Sequence, residues 1–88
     1  MIPVRSEFKW NEWNLEHATK HGCTVAEIES IVSHPGRGYP REIGDEKLYV
    51  VGRGRGGRFI QAIYIIDDRL IFVIHAMPLT TRRRRGGR

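Results

Sequence analysis

The N-terminal part of the chain shows a short alternating segment followed by a helix signal. Residues 8–10, Phe-Lys-Trp, alternate apolar and polar side chains, as a short strand does. Asn11 is a favourable N-cap residue, and Gly22 has the conformational freedom that a helix end needs. The pattern therefore predicts a strand over residues 8–10 and a helix that runs from Glu12 to about His21.

A second helix is predicted directly after the first. Thr24 and Glu27 have the spacing of a capping box, in which each side chain bonds the other residue's backbone N–H. Pro35 and Gly36 then end the helix. Residues 36–46 contain three glycines and a proline, so we expect a loop there with at most one short strand. The apolar stripe of the helix consists of Val25, Ile28, Ile31 and Val32.

The second half of the chain has the apolar, β-branched character of strands. Residues 48–51, 59–66 and 70–76 each form such a run, and the last two are separated by a turn signal. The predicted order is a short N-terminal strand, two helices and an antiparallel β-meander, followed by a basic C-terminal tail. This order is typical of the α+β class.

The turn between the last two strands determines which side chains share a face. If residues 67–68 form a two-residue turn, one face of the hairpin is almost wholly apolar and should carry the core under the helices. The same register places Arg58 opposite Met77 and diagonal to His75, on the other face. The predicted core face consists of Phe59, Gln61, Ile63, Ile65, Leu70, Phe72, Ile74 and Ala76.

Length and composition exclude several classes of protein. A chain of 88 residues has room for one small domain, and 40% hydrophobic with 28% charged residues is ordinary for a folded one. No apolar run approaches the length of a membrane-spanning helix, and the N-terminus lacks the apolar core of a secretion signal. Cys23 is the single cysteine, so we expect an inert thiol, no internal disulfide and a cytoplasmic setting.

The positive charge of the chain is concentrated at its C-terminus. There are 15 Lys and Arg against 10 Asp and Glu, a formal net charge of +5. Residues 82–88 hold five arginines and no acidic residue, so the rest of the chain is balanced. Such a segment is typical of a nucleic-acid-binding tail, whose arginines contact phosphates, and it also fits a solvated C-terminus.

The glycine- and arginine-rich stretch at residues 52–58 has three interpretations. It can be a phosphate-binding loop, in which backbone N–H groups and the arginines surround an anion. It can be an RGG-type RNA-binding element, echoed at residues 85–88. It can also be a solvated hairpin turn. Arg58, at the start of a strand, is the strongest functional candidate among its arginines.

Histidines and one lysine are the remaining polar candidates. His17 and His21 have a spacing that can hold a metal ion, but the pattern contains neither an accompanying Glu nor a third ligand, which disfavours a metal site. His21 and His75 are better candidates for proton transfer, with a structural role as the alternative for each. Lys20 adds a fixed positive charge beside His21 that can hold a phosphate.

The two tryptophans are close together in the first helical region. We expect Trp10 and Trp13 to lie in the core, with base stacking by Trp13 as the alternative.

Several short motifs, taken in order, resemble the BrnT family. This family consists of small ribonuclease toxins of bacterial type II toxin–antitoxin systems, with a fold related to RelE. The resemblance covers roughly residues 8–85. The matching motifs are Phe8-x-Trp10-Asn11, Asn14, Lys20-His21-Gly22, Glu27, Val51-Gly52, Gly57-Arg58, Tyr64, Ile74-His75-Ala76, Thr80 and Arg83.

The resemblance implies a RelE-like domain over residues 1–81, a tail over residues 82–88, and metal-independent RNA cleavage without a cofactor. It also implies an antitoxin partner of the BrnA-like, ribbon-helix-helix type, through which the protein could oligomerise, and no membrane association. The resemblance carries over Arg58, His21 and Lys20. Together with His75, the other candidate for proton transfer, these are the expected catalytic residues. The expected substrate-binding residues are Arg53, Arg55, Arg82, Arg83 and Arg84.

The chain departs from the family pattern at two places. The family commonly has Ile-x-Ala-Arg on the last strand, whereas this chain has Met77 in place of the arginine. In the predicted register an arginine there would face Arg58 and complete a two-arginine phosphate clamp. The family also often continues into a terminal helix, which the glycine-containing tail disfavours. The alternative function is therefore a catalytically weakened or inactive domain that binds RNA or protein.

Overall fold

Two helices and a five-stranded mixed sheet make up the computed structural model, which describes residues 7–79. The α+β class and the antiparallel meander are thereby confirmed. The strand order is β1-β5-β4-β3-β2, with β1 parallel to β5. Neither helix within residues 7–79 is long and apolar enough to cross a membrane. The elements are β1 (Glu7–Phe8), α1 (Glu12–Thr19), α2 (Val25–Ser33), β2 (Arg41–Gly44), β3 (Lys47–Arg53), β4 (Phe59–Asp67) and β5 (Leu70–Pro78).

Both helices begin at the predicted caps. The Thr24 side chain accepts a hydrogen bond from the Glu27 N–H at 3.1 Å, while the Glu27 carboxylate accepts one from the Thr24 N–H at 3.0 Å. Asn11 and Asn14 form the equivalent reciprocal pair at the start of α1. The first helix ends at Thr19, earlier than predicted, so the next residues lie in the connection between the helices.

The hairpin register differs from the prediction. Asp68 and Arg69 form the turn, with φ of 52° and 71°, and Asp67 pairs with Leu70. Two residues with positive φ are what a type I′ turn requires, and its twist matches that of the flanking strands. The turn is therefore one residue later than predicted. Ile65, which would pair with Leu70 across a turn at residues 67–68, pairs with Phe72.

The prediction of the core face was wrong except at Ala76, which is fully buried. Ile63, Ile65 and Phe72 lie on the outer face and are only partly buried. Both faces of the hairpin are apolar, so alternation alone does not select one of them. Gly52 helps to select the inner face, because a Cβ at this position would lie 3.0 Å from Cβ of Ile31 in α2. The buried cluster contains Ala18, Cys23, Ile28, Ile31, Val32, Val50, Ile60, Ala62, Tyr64, Ile71, Val73 and Ala76.

A β-bulge in β5 decides the position of His75. Tyr64 pairs with Val73, but Ile63 pairs with His75, so the ladder skips Ile74. Without this extra residue, alternation would direct position 75 into the core behind Val73. With it, Ala76 is fully buried and His75 stays partly exposed.

The bulge and the shifted turn also remove the predicted clamp opposite Arg58. Met77 pairs with Gln61 on the outer face, whereas Arg58 extends toward the helices on the inner side. The prediction that Arg58 faces Met77 and lies diagonal to His75 was therefore wrong. An arginine at position 77 would not form a clamp with Arg58 in this register.

Replacing Tyr64 with phenylalanine is expected to leave the free energy of unfolding unchanged or to raise it by up to about 1 kcal/mol. The Tyr64 hydroxyl is buried and has no hydrogen-bond partner within residues 7–79, and burial raises its pKa to about 12. Tyr49→Phe is the matched control, because the Tyr49 hydroxyl donates to Gln61 Oε1 at 2.6 Å and its removal should cost about 0.5–1.5 kcal/mol. Urea denaturation measures both; a larger loss for Tyr64→Phe than for Tyr49→Phe would contradict the expectation.

Candidate active site

The connection between the helices presents two predicted site residues to solvent. Lys20 is the C-cap residue of α1, and its N–H bonds the Glu16 carbonyl. Gly22 has a φ of +94°, which lets the chain turn sharply toward α2. Lys20 and His21 are both exposed in this turn. Because α1 is short, Lys20 and His21 lie beyond its last residue, and the geometry of the helix does not fix the directions of their side chains.

His21 and His75 come together although they are far apart in the sequence. Their ring centroids are 5.6 Å apart with the planes at 67°. Burial lowers the pKa of His75, and the neighbouring charges of His21 and Lys20 lower it further. His75 is therefore held in its neutral form to lower pH than an ordinary histidine.

Arg58 is held by a buried carboxylate. Its Nη2 donates to Glu27 Oε1 at 3.0 Å, and its Nε donates to Glu27 Oε2 at 3.3 Å. The same Nη2 donates to the Gly22 carbonyl at 2.9 Å. Glu27 is only 6% exposed, whereas the Arg58 side chain is 42% exposed. Arg58 thereby connects the start of β4 to α2 and to the connection that carries His21.

Glu27 joins three separate segments. Besides Arg58, it accepts hydrogen bonds from the N–H groups of Thr24 at 3.0 Å and Arg55 at 2.6 Å. Burial alone would raise its pKa, but these hydrogen bonds outweigh it and lower the pKa to about 2. The pKa of Arg58 is raised, chiefly by its hydrogen bonds to Glu27. Both groups are therefore charged throughout the physiological pH range.

Three of the predicted catalytic residues, Lys20, His21 and His75, lie together, and Arg58 is linked to them only indirectly. His21 is close to His75, and the charge of Lys20 acts on His75. Arg58 reaches them through the carbonyl of Gly22, the residue after His21. Within residues 7–79, Nη1 of Arg58 makes no hydrogen bond, so this nitrogen is the part of the guanidinium available to a ligand.

The glycine- and arginine-rich stretch is an ordered turn between β3 and β4. The Gly54 N–H donates to the Arg58 carbonyl at 2.7 Å, and Gly57 has a φ of +81°. The Arg53 guanidinium lies 4.5 Å from the Phe59 ring centroid. The Arg55 N–H, which could bind a phosphate, already binds the Glu27 carboxylate. A groove of about 290 Å³ runs beside this turn and is lined by Thr24, Ala26, Glu27, Ser30, Arg53, Gly54 and Arg55.

Gly54→Ala is expected to lower the free energy of unfolding by about 1–3 kcal/mol. A Cβ at Gly54 would lie 2.7 Å from Glu27 Oε2 and would also clash with the Ile60 side chain. Thermal denaturation followed by circular dichroism measures this loss. Gly56→Ala is the control, because a Cβ there would have nothing within 4 Å and only its φ of +70° is unfavourable. A Gly54→Ala variant as stable as wild type would refute the close packing.

Two predictions about the aromatic residues have different outcomes. Trp10 packs against the core and donates from Nε1 to Glu29 Oε2 at 2.9 Å. Trp13 is 51% exposed, so its prediction as a core residue was wrong. Its side chain stacks on His17 with ring centroids 4.0 Å apart. The reason is that Asn14 and Ala18, not Trp13, supply the buried positions of α1.

The remaining predicted site residues have simple environments. His17 Nδ1 lies 2.7 Å from the Trp13 carbonyl oxygen, and His21 lies beyond the end of α1, so the two do not share a helix face. Residues 7–79 contain no group of three histidine, cysteine or acidic side chains placed to hold a metal ion. Burial raises the pKa of the Cys23 thiol, as expected of an unreactive cysteine. Arg82, Arg83 and Arg84 lie outside the described residues.

Sequence reasoning missed the central role of Glu27. The capping box explained this residue completely from local spacing, so no signal remained for its long-range pairing with Arg58. A buried capping carboxylate that also binds an arginine on a distant strand is detectable only from the tertiary structure.

Comparison with known proteins finds no match for this chain. The chain matches no protein-family model, and neither a curated protein nor a solved structure gives a match.

Proposed function

We propose that the protein is a metal-independent ribonuclease that uses His21 and His75 as an acid–base pair. The observation that carries the proposal is the approach of the two imidazoles to 5.6 Å beside Lys20, with Arg58 bound to the carbonyl of Gly22, the residue after His21. RNA cleavage through the 2′-hydroxyl needs a base, an acid and cations that stabilise the phosphorane. All three kinds of group are present in this cluster.

The proposed reaction is an intramolecular transfer within RNA. Neutral His75 takes the proton of the 2′-hydroxyl, and the O2′ atom attacks the adjacent phosphorus. The bond from phosphorus to O5′ breaks, and His21 gives a proton to the departing O5′. The products are a 2′,3′-cyclic phosphate and a 5′-hydroxyl, and the reaction consumes no oxidant and uses no metal ion. The lowered pKa of His75 supports its assignment as the base.

Charge distribution supports binding of a polyanion near the β3–β4 turn. The turn between β3 and β4 carries Arg53 and Arg55, which we propose contact the RNA backbone. Leu79, the last described residue, donates its N–H to the Phe59 carbonyl at 2.9 Å, next to Arg58. We propose that Arg82, Arg83 and Arg84 also contact the RNA backbone. Four acidic residues lie in or next to the β2–β3 and β4–β5 turns at the opposite end of the sheet: Asp45, Glu46, Asp67 and Asp68.

The proposed activity is tested with purified full-length protein and single-stranded RNA in excess EDTA. Wild type should cleave the RNA, and Arg58→Ala should abolish cleavage. Because Arg58→Ala also leaves Glu27 buried without its main partner, the double variant Glu27→Gln/Arg58→Ala removes the unpaired charge and controls for misfolding. Cleavage at the wild-type rate by a folded Arg58→Ala variant would remove Arg58 from the site.

The biological setting follows from the resemblance to the BrnT family. We propose a toxin of a type II toxin–antitoxin system that acts in the cytoplasm on RNA and is neutralised by a ribbon-helix-helix antitoxin. Expression of wild type should arrest growth, and His21→Ala/His75→Ala should not. A neighbouring reading frame that encodes a small ribbon-helix-helix protein and relieves the arrest would support the proposal, whereas growth without arrest would count against it.

The second candidate is a non-catalytic RNA-binding domain. The observation that favours it is the commitment of Arg58 to Glu27 and Gly22, with Met77 on the other face of the sheet. If wild type and Arg58→Ala are equally inert in EDTA but both bind RNA, the binding function replaces the ribonuclease.

A further inference from the structure

Trp13 forms an exposed aromatic stack at the surface of α1. The residue is 51% exposed although its ring stacks on His17, with centroids 4.0 Å apart and planes at 21°. It also lies nearly parallel to Phe72 of β5, with centroids 6.2 Å apart and planes at 8°. A large aromatic side chain kept at the surface by two other rings offers an apolar, planar area to a ligand.

The aromatic stack and the histidine pair lie on the same seam between α1 and β5. On the helical side, Trp13 and His17 are four residues apart on α1, about 6 Å along its axis, and His21 follows in the turn after α1. On the strand side, Phe72 precedes His75 on β5. Trp13 contacts Phe72 at one end of the seam, and His21 contacts His75 at the other. A ligand in contact with the histidine pair therefore has the stack within reach.

We propose that the stack of Trp13, His17 and Phe72 binds an unpaired RNA base near the scissile phosphate. Stacking on aromatic side chains is the common way in which proteins hold single-stranded bases, because every base has a planar face. Glu12 and Glu16 lie beside Trp13 on α1 and disfavour a phosphate at this place, whereas a base is neutral. The phosphates would instead lie toward Lys20 and the arginines at the basic end.

This inference rests on RNA as the ligand, as in the proposed function, but it does not require cleavage. Binding is therefore measured in the His21→Ala/His75→Ala background, where no hydrolysis should occur. The probe is a fluorescently labelled single-stranded RNA of mixed sequence, and a duplex of the same sequence serves as the paired comparison. A duplex keeps its bases stacked on each other and contacts the protein through phosphates alone.

Trp13→Ala should weaken binding of the single strand by about 5- to 150-fold, the range that corresponds to loss of one stacked base. Trp13→Phe should retain most of the affinity. Leu15→Ala is the matched control, since Leu15 is also exposed on α1, at 41%, and lies outside the stack. Single-stranded RNA should also quench the fluorescence of exposed Trp13, and the Trp13→Phe variant should lose this quenching although Trp10 remains.

The outcomes separate this inference from the proposed function. If wild type does not cleave RNA but Trp13→Ala selectively weakens single-strand binding, the base site stands and the ribonuclease falls. If Trp13→Ala binds the single strand as tightly as its background protein, the base site is refuted, whatever the cleavage rate. Equal loss of single-strand and duplex binding would also refute it, and circular dichroism of each variant excludes unfolding as the cause.

Discussion

Replacement of His75 with alanine is expected to slow RNA cleavage by about 10²- to 10⁴-fold, the usual contribution of a general base. His75 is the imidazole whose pKa is lowered by burial and by the charges of His21 and Lys20. It is also partly exposed only because of the bulge at Ile74, so its removal should affect chemistry more than packing. Single-turnover rates on a defined oligonucleotide measure the effect.

The pH profile distinguishes a base from a structural residue. Cleavage by wild type should fall as the pH drops below the lowered pKa of His75, because protonation removes the base. The residual activity of His75→Ala should lack this acid limb. His34→Ala is the control, since His34 is exposed at the C-terminus of α2 and away from the cluster. An acid limb that persists unchanged in His75→Ala would show that another group is the base.

Replacement of Glu27 with glutamine is expected to lower the free energy of unfolding at neutral pH by about 1.5–3 kcal/mol, as loss of a hydrogen-bonded charged group does. The carboxylate is 6% exposed and accepts hydrogen bonds from Thr24, Arg55 and Arg58. Glutamine has nearly the same shape but carries no charge, and its amide group cannot accept at both ends. Chemical denaturation at pH 7 measures the difference.

The same carboxylate should make the protein sensitive to acid. Its pKa is about 2 when folded, against 4.5 as the ordinary value, so the unfolded chain takes up the proton first as the pH falls. The stabilisation is therefore complete above about pH 5 and is lost progressively down to about pH 2. Glu27→Gln should lack this pH-dependent stabilisation, whereas Glu42→Gln, at an exposed position in β2, should keep it. Equal acid sensitivity of wild type and Glu27→Gln would contradict the account.

The helices and strands were predictable because local chemistry determines them. Asn11 and Thr24 cap the two helices through short-range hydrogen bonds, and the capping box with Glu27 was confirmed. The meander also followed from local signals, since β-branched runs alternate with turn residues. The pairing of β1 with β5 was not predicted, because a two-residue strand carries no information about its partner.

The register of the last hairpin was not predictable from alternation. Its two faces are almost equally apolar, so the choice depended on where Asp68 and Arg69 turn the chain and on the bulge at Ile74. Small residues on the inner face, such as Gly52, let α2 pack closely against the sheet. This close packing joins segments that are distant in the sequence, so the local pattern does not reveal it. One displaced turn residue was enough to place Met77 wrongly opposite Arg58.

The candidate site was likewise predictable only in part from the sequence. Lys20, His21, Arg58 and His75 were each selected from the sequence, but the path that brings them together was not. The predicted path was a cross-strand contact on β4 and β5, whereas Arg58 reaches the site through the carbonyl of Gly22. A long-range ion pair with a capping residue carries no sequence signature.

The most direct test of the ribonuclease proposal uses oligonucleotides that are 2′-O-methylated at every position except one. Because the proposed nucleophile is the 2′-hydroxyl, wild type in excess EDTA should cleave only after the single unmodified nucleotide and leave a 2′,3′-cyclic phosphate and a 5′-hydroxyl. The four possible bases are each placed at that position, beside an unmodified RNA of the same sequence. Cleavage at a methylated position, a requirement for Mg²⁺, or failure to cleave even the unmodified RNA would contradict the account.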